Sequence, residues 1–431
     1  MGSKLGKRLA GVAALALAMA SPAHAGDEAR EKPVTIPVTI HAGQLLDGKG
    51  GANRDMTITV ADGKIVSVEQ GSPRPADYEF GSLTVLPGLI DTHVHITKLF
   101  NNEGRATDEG LTDEERALKW AENVWITLMG GFTTVQSVGS DDDFALRAAI
   151  ANGRLPGPRL LTSGKPFGDP GATPEQIRAY VREAREKGAD VIKIFASKSS
   201  REGGGPTLTD AQLGAACGEA RRLGLRTWVH AHAAAAVRQA SEQGCYAVTH
   251  GRFVTQDVLD LLARNGTYLE PSWGVVQQNY MAHVANYVGI GNYTQEALER
   301  MLPYQATTPP VWHMMLATRG LKILSGTDAV AGAEGHNVEE IIWRVDHGQA
   351  PMDAIVDATS TDAEALQLGD RIGTIAPGME ADIIAVGGDP LQDITALRDV
   401  RFVMKGGKVY KHVETPDPSP PIDKPAFQTG E

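Results

Sequence analysis

Pro87-Gly88-Leu89-Ile90-Asp91-Thr92-His93-Val94-His95 completes an apolar run, residues 85–96, with two histidines one residue apart. Side chains two apart on a strand point to the same side, so His93 and His95 share one side of this run. Seven further β-rich runs follow it, at residues 133–138, 159–163, 190–196, 227–231, 247–250, 267–271 and 322–325. Helical patterns lie between them. Thr173-Pro174-Glu175-Gln176 combines an N-cap, a proline at the first helical position and a capping-box partner. Ile177, Val181 and Ala184 then fall on one face, and Gly188 marks the stop. Thr209 and Gln212 repeat the capping box before the next helix. Strands alternating with helices over the length of one barrel predict the α/β class, a (β/α)8 TIM barrel over residues 85–370.

The flanks differ. Residues 33–84 and 371–414 carry strand-and-turn patterns, with Asp62-Gly63 as a hairpin signal and Gly406-Gly407 as a second turn. They predict a small β-sandwich domain built from both ends of the chain. Residues 415–431, rich in proline and charge, predict a poorly ordered tail. At the other end, Lys4, Lys7 and Arg8 precede an apolar stretch at residues 9–20, and Ala23-His24-Ala25 follows as a small-x-small cleavage site. A signal peptide over residues 1–25 is therefore expected, and the mature chain is expected to be secreted or periplasmic; a buried helix or an uncleaved anchor is the alternative.

The chain has 431 residues and a formal charge of −12, which becomes −15 once the three basic residues of the leader are removed. A negative surface disfavours nucleic acid and, after signal removal, anionic membranes as partners. The expected partner is a small-molecule substrate. Cys217 and Cys245 are the two cysteines, too few for a disulfide framework or a thiolate metal site, and whether they pair is left open by the sequence.

Five strand ends carry polar residues of one kind. They are His93 and His95, then Lys193 in Asp190-Val191-Ile192-Lys193-Ile194, and His230 with His232 in Val229-His230-Ala231-His232. His250 in Val248-Thr249-His250-Gly251 and Asp328 in Ser325-Gly326-Thr327-Asp328-Ala329 complete the set. A lone histidine is more often packed or solvated than a ligand. Barrels of this type place their chemistry at the C-terminal ends of the strands, where these residues lie. Nitrogen and oxygen donors of this sort suit zinc, manganese, iron or cobalt.

The opening nonapeptide, Gly326-Thr327-Asp328, and the stretch Ile372-Gly373-Thr374-Ile375-Ala376-Pro377-Gly378-Met379-Glu380-Ala381-Asp382 together resemble the metal-dependent amidohydrolase superfamily. The likeness covers nearly all of the mature chain. Within it the chain is most similar to the imidazolonepropionase-related, prolidase-like group, which includes Xaa-Pro and Xaa-Arg/Lys dipeptidases and N-acyl amino acid hydrolases. The resemblance implies two divalent metal ions, zinc or else manganese, cobalt or iron. His93, His95 and Asp328 would bind one ion, and His230 and His250 the other. Lys193, carboxylated to a carbamate, would bridge both; a surface lysine is the alternative for Lys193. The implied reaction is hydrolysis of the amide bond of dipeptides or N-acyl amino acids by metal-bound hydroxide, with Asp328 as catalytic acid and base.

His232 stands where relatives have a tyrosine that polarises the substrate carbonyl, which implies a catalytic and substrate-binding role for it. His336, in Glu334-Gly335-His336, is implied as a second substrate contact. Gln136-Ser137 departs from the Arg-Asp of many relatives. The long connection at residues 273–320, with Tyr280, Tyr287, Tyr293, Tyr304 and Trp312, predicts a helical elaboration, lid or oligomer contact, and a homo-oligomer is expected. Hydrolysis of a cyclic amide, lactone or ester on the same residues is the nearest alternative function. A non-catalytic exported binding protein is the remote one.

Overall fold

A computed structural model describes residues 36–71 and 75–413. The leader and the tail lie outside the described residues. Fifteen strands are found among the described residues. The first four are β1 (Val38–Leu46), β2 (Ala52–Ala61), β3 (Lys64–Gln70) and β4 (Tyr78–Pro87). The barrel strands are β5 (Leu89–Val94), β6 (Phe132–Ser137), β7 (Arg159–Thr162), β8 (Val191–Phe195), β9 (Arg226–Ala233), β10 (Ala247–Phe253), β11 (Tyr268–Glu270) and β12 (Lys322–Ile323). The chain then returns as β13 (Ile383–Gly387), β14 (Val400–Lys405) and β15 (Lys408–His412).

β5 to β7 and β8 to β12 pair in parallel, in sequence order. Backbone bonds join the two groups at both seams. Asp190 N donates to Thr162 O (2.8 Å) and Phe167 N to Lys193 O (2.9 Å) on one side. Thr92 N to Ser325 O (3.1 Å) and His95 N to Ala329 O (2.7 Å) close the other. Eight strands thus complete a barrel. Both capping boxes expected from the sequence form, on helices Pro174–Glu186 and Asp210–Arg222, and Ile177, Val181 and Ala184 are buried together. A third box, Thr112 with Glu115, starts helix Asp113–Met129.

The first strand needs correction. Residues 85–96 are not one strand: Val85 to Pro87 end β4, and Gly88 separates them from β5. A Cβ on Gly88 would lie 2.1 Å from Thr133 Oγ1, so only glycine lets the chain pass from one sheet to the other here. An unbroken apolar run conceals that change of partner.

The remaining seven strands form one sheet in the order β15-β14-β13-β4-β1-β2-β3. It curls so that Ile58 and Ile65 from one end share a core with Phe402 and Met404 from the other, giving the sandwich-like arrangement. The hairpin signals hold. Asp62 and Gly63 have φ of 50° and 76°, and Gly406 and Gly407 have 56° and 77°, the left-handed pair that a tight turn between twisted strands requires.

The stretch from Ile372 to Asp382 is scaffold. Gly378 N donates to Ile65 O (2.8 Å), Ala381 N to Gly63 O (2.8 Å), and Asp382 Oδ2 accepts from Arg159 on β7 (2.7 Å). This stitches the sheet to the barrel. Inside the barrel, Ile90, Val191, Trp228, Ala247 and Leu324 pack as one apolar layer, closed below by Leu366 and Ile372. Residues two further along β8 and β9 are Lys193 and His230. The period of two that builds the floor therefore also raises the polar residues above it.

Cys217 on helix Asp210–Arg222 and Cys245 ahead of β10 form a disulfide, which answers the question the sequence leaves open. The connection after β11 is helical, with helices Val275–Ala282, Val284–Tyr287, Gln295–Glu299 and Tyr304–Ala317.

Candidate metal centre

His93 is wholly buried, and its two ring nitrogens face different partners. Nδ1 lies 3.0 Å from Glu270 Oε1, and Nε2 lies 2.9 Å from Lys193 Nζ and 3.3 Å from Asp328 Oδ1. A carboxylate only accepts, which assigns the ring proton to Nδ1 and leaves a lone pair on Nε2. That lone pair then confronts the Asp328 oxygen, and His95 Nε2 confronts the same oxygen at 3.0 Å. A cation among these atoms turns that crowding into attraction.

His230, His232 and His250 make a second group, each offering one nitrogen within 4.8 Å of the others. The His232 ring stacks on His250 at 4.7 Å, and the His230 ring meets His232 edge-on at 4.6 Å. The two groups touch, since the His93 and His250 rings are 5.5 Å apart. His232 Nδ1 is buried without a hydrogen-bond partner. The structure thus gathers all seven strand-end residues in one place.

Electrostatics suit a cation. Burial drives the imidazoles toward the neutral form that binds metal, His95 to about 4, His230 to about 3, and His232 and His250 well below their ordinary value. Burial also lowers Lys193 to about 8, although Asp328 and Glu270 oppose it. For Asp328 burial acts upward, but His93, His95 and Lys193 outweigh it and hold the carboxyl well below the usual range. His250 and Asp328 both sit at positive φ, 77° and 53°. For non-glycine residues that costs on the order of 1–3 kcal/mol each, a strain that clusters at functional sites.

A supporting shell lies beneath, and sequence reasoning missed it. Glu270, at the end of β11, is fully buried and accepts from His93 Nδ1, from Trp228 Nε1 (2.9 Å) and from Ser272 Oγ. Asp91 accepts from His93 N (3.0 Å), Thr327 Oγ1 (2.7 Å) and Asn337 Nδ2 (2.7 Å), binding β5 to the loop that carries Asp328. Burial pushes Asp91 up to about 6, against those bonds. Glu270 shares its place at a strand end with the residues that were picked out, and that position was the available signal.

His336 is not a member of either histidine group. It lines a cavity of about 300 Å³ with Phe100, His283 and Glu334, and none of the seven clustered residues lines it. Gln136, at the departure from Arg-Asp, is a buried brace: it donates to Thr92 O (2.9 Å) and accepts from Arg226 (2.7 Å). Tyr280, Tyr287 and Tyr293 pack on one another at 4.9–5.2 Å.

Residues 84–410 match the family described as Amidohydrolase family. Ochratoxinase of Aspergillus niger is 25% identical over 438 residues, covering 88% of this chain and 87% of its own. A solved Xaa-Pro dipeptidase with methionine bound in its active site is 29% identical with a TM-score of 0.78, covering 87% of this chain and 100% of its own. A prolidase complexed with N-methylphosphonate-L-proline shares the fold at a TM-score of 0.78 and 23% identity, over 88% of this chain and 100% of its own.

Proposed function

The chain belongs to the amidohydrolase family and hydrolyses amide bonds; from that premise we propose an exported enzyme that cleaves dipeptides or N-acyl amino acids with two divalent metal ions. His93, His95 and Asp328 would hold one ion, His230 and His250 the other, with a carbamate on Lys193 between them. The observation that carries this reading is that His93 Nε2 lies 2.9 Å from Lys193 Nζ and 3.3 Å from Asp328 Oδ1, beside a second histidine trio.

Bound divalent cations would bring the pKa of water toward about 7 and polarise the scissile carbonyl. The residues do the rest. Asp328 is ionised at neutral pH, so it can take the proton of the attacking water and return it to the leaving nitrogen. His232 stays neutral and can offer a ring N–H to the carbonyl oxygen. Burial, by lowering Lys193 to about 8, keeps some of its amine free at neutral pH, the form that adds carbon dioxide, and the carbamate would replace a repelling cation with an anionic pair of oxygens. Zinc suits this donor set, and manganese, cobalt or iron would also serve.

Export is supported by the leader pattern of residues 1–25 and by the Cys217–Cys245 bond, because disulfides persist in oxidising compartments. A panel of dipeptides, N-acyl amino acids, lactones and esters, assayed with zinc, manganese or cobalt, tests the proposal. Turnover of the first two classes, lost in His93→Ala, is expected. Turnover confined to lactones or esters would refute it.

A further inference from the structure

Two arginines lie beside the histidine cluster, within electrostatic reach of His232. Arg201, in the loop after β8, and Arg252, near the end of β10, are 8% and 7% exposed. Among the described residues neither is ion-paired. Arg201 Nη2 donates to Asn292 Oδ1 (3.2 Å) and Arg252 Nη1 to Thr308 Oγ1 (2.6 Å), both neutral, and the Nε of each has no hydrogen-bond partner. Other buried arginines are provided for: Arg344 by Asp357, and Arg226 by Gln136 and Asp190 O.

Aromatic rings cover the guanidinium faces. Arg201 lies 4.1 Å from the centre of Tyr293, and Arg252 lies 4.6 Å from that of Tyr304. Stacking of this kind leaves the in-plane N–H edges free, and those edges match a carboxylate two bonds at a time. Tyr304 links the two arginines, because its ring lies against Arg252 while its hydroxyl donates to Ser200 O (2.9 Å), next to Arg201. The Arg201 loop is also bound to β9. Ala233 N donates to Gly204 O (3.1 Å), and a Cβ on Gly204 would lie 2.5 Å from His232 Cβ.

We propose that Arg201 and Arg252 together receive the carboxylate of the substrate, the α-carboxylate of the amino acid that is released. The inference rests on the amide-hydrolase reading above and names its specificity. Two buried cations that form no direct ion pair, with Glu340 acting on Arg252 only at a distance, are unfavourable, and an anion between them relieves both. A substrate held there by its carboxylate presents its amide bond toward His232 and the cluster. A neutral amide gains no such anchor.

Binding by the metal-loaded enzyme tests this without turnover. The probes are N-methanesulfonyl derivatives of phenylalanine, methionine and proline, which carry no hydrolysable amide at the acyl nitrogen, each compared with its primary carboxamide by calorimetry. Wild type is expected to favour the carboxylate of at least one pair by about 30-fold or more. Arg201→Met and Arg252→Met should each reduce that ratio at least tenfold, and Arg→Lys should restore part of it, with metal content unchanged as the sign of a folded site. Equal binding of carboxylate and carboxamide by wild type, or a preference that survives both Met variants, overturns the proposal. An arginine-dependent preference without amide turnover would instead refute the amide-hydrolase reading and leave the anion subsite standing.

Discussion

Glu270→Gln isolates the contribution of the shell beneath the candidate metal ligands. Glu270 accepts three hydrogen bonds, from His93 Nδ1 at 3.0 Å, Trp228 Nε1 at 2.9 Å and Ser272 Oγ, in a fully buried place. A glutamine amide has one accepting end. If its oxygen faces His93 and Ser272, its NH2 meets the Trp228 N–H as donor against donor. If it is flipped, it meets His93 Nδ1 and favours the tautomer that puts a proton on Nε2, where a metal would bind. In the first orientation one buried bond is lost, at about 1–3 kcal/mol; in the second the bonds are kept but the reversed His93 tautomer blocks Nε2, so the loss falls on metal affinity. Disturbing a carboxylate behind a metal-bound histidine costs roughly 10- to 100-fold in affinity or activity, the same range. Metal affinity by competition with a chromogenic chelator, and kcat/KM at saturating metal, should therefore each fall about 10- to 100-fold. Glu270→Leu leaves three donors unsatisfied, about 3–9 kcal/mol, comparable with the whole stability of a typical domain. That variant should not accumulate as folded protein. Glu270→Gln with affinity and kcat/KM both within twofold of wild type would refute the assigned tautomer and the role given to Glu270.

Gly326→Ala should damage the same support from another direction, since its Cβ would lie 2.6 Å from Glu270 Cδ. A loss of about 1–3 kcal/mol in denaturant unfolding is expected, and unchanged stability would contradict the packing. The Cys217–Cys245 bond closes a loop with a sequence separation of 28, which by loop entropy contributes roughly 3–4 kcal/mol. Cys217→Ser should lower the urea midpoint in oxidising buffer, and an unaltered midpoint would show the bond to be absent or without effect. The pH dependence of metal binding follows from which donors already lack a proton. His95 at about 4 and His230 at about 3 are free at pH 6, with His232 and His250 lower than usual too, and none of these need release a proton to a metal. Lys193 at about 8 is an ammonium at pH 6, and its conversion to the carbamate by carbon dioxide releases two protons, while bound water can supply up to one more. Calorimetry at pH 6 in carbon dioxide-equilibrated buffers of different ionisation enthalpy should give about two to three protons per enzyme, and four or more would mean that the histidines titrate as solvated groups.

Much of the site was legible because one rule governs both floor and ligands. Val191-x-Lys193 and Trp228-x-His230-x-His232 alternate on strands, so the apolar partner in each pair declares which way the polar one points. Glu270 escaped notice because a single acid in Leu269-Glu270-Pro271 has no spacing partner in sequence. Its partners, His93 and Trp228, are 177 and 42 residues away. Arg201 and Arg252 were equally silent, since an arginine in a loop or at the end of a strand usually faces water and only the folded chain reveals that these do not. The break at Gly88 was hidden for a related reason. Two strands of different sheets, both buried, read as one apolar run, and the space beside Thr133 that demands glycine is a tertiary fact. His336 was drawn in by its proximity in sequence to Asp328, and it lines a cavity with Phe100, His283 and Glu334.

Anomalous diffraction from crystals grown with zinc addresses the central claim most directly. Two peaks are expected, one bounded by His93, His95 and Asp328 and one by His230 and His250, with density continuing past Lys193 Nζ toward both. No peak among these residues, or an unmodified Lys193 turned away from Asp328, would contradict the account.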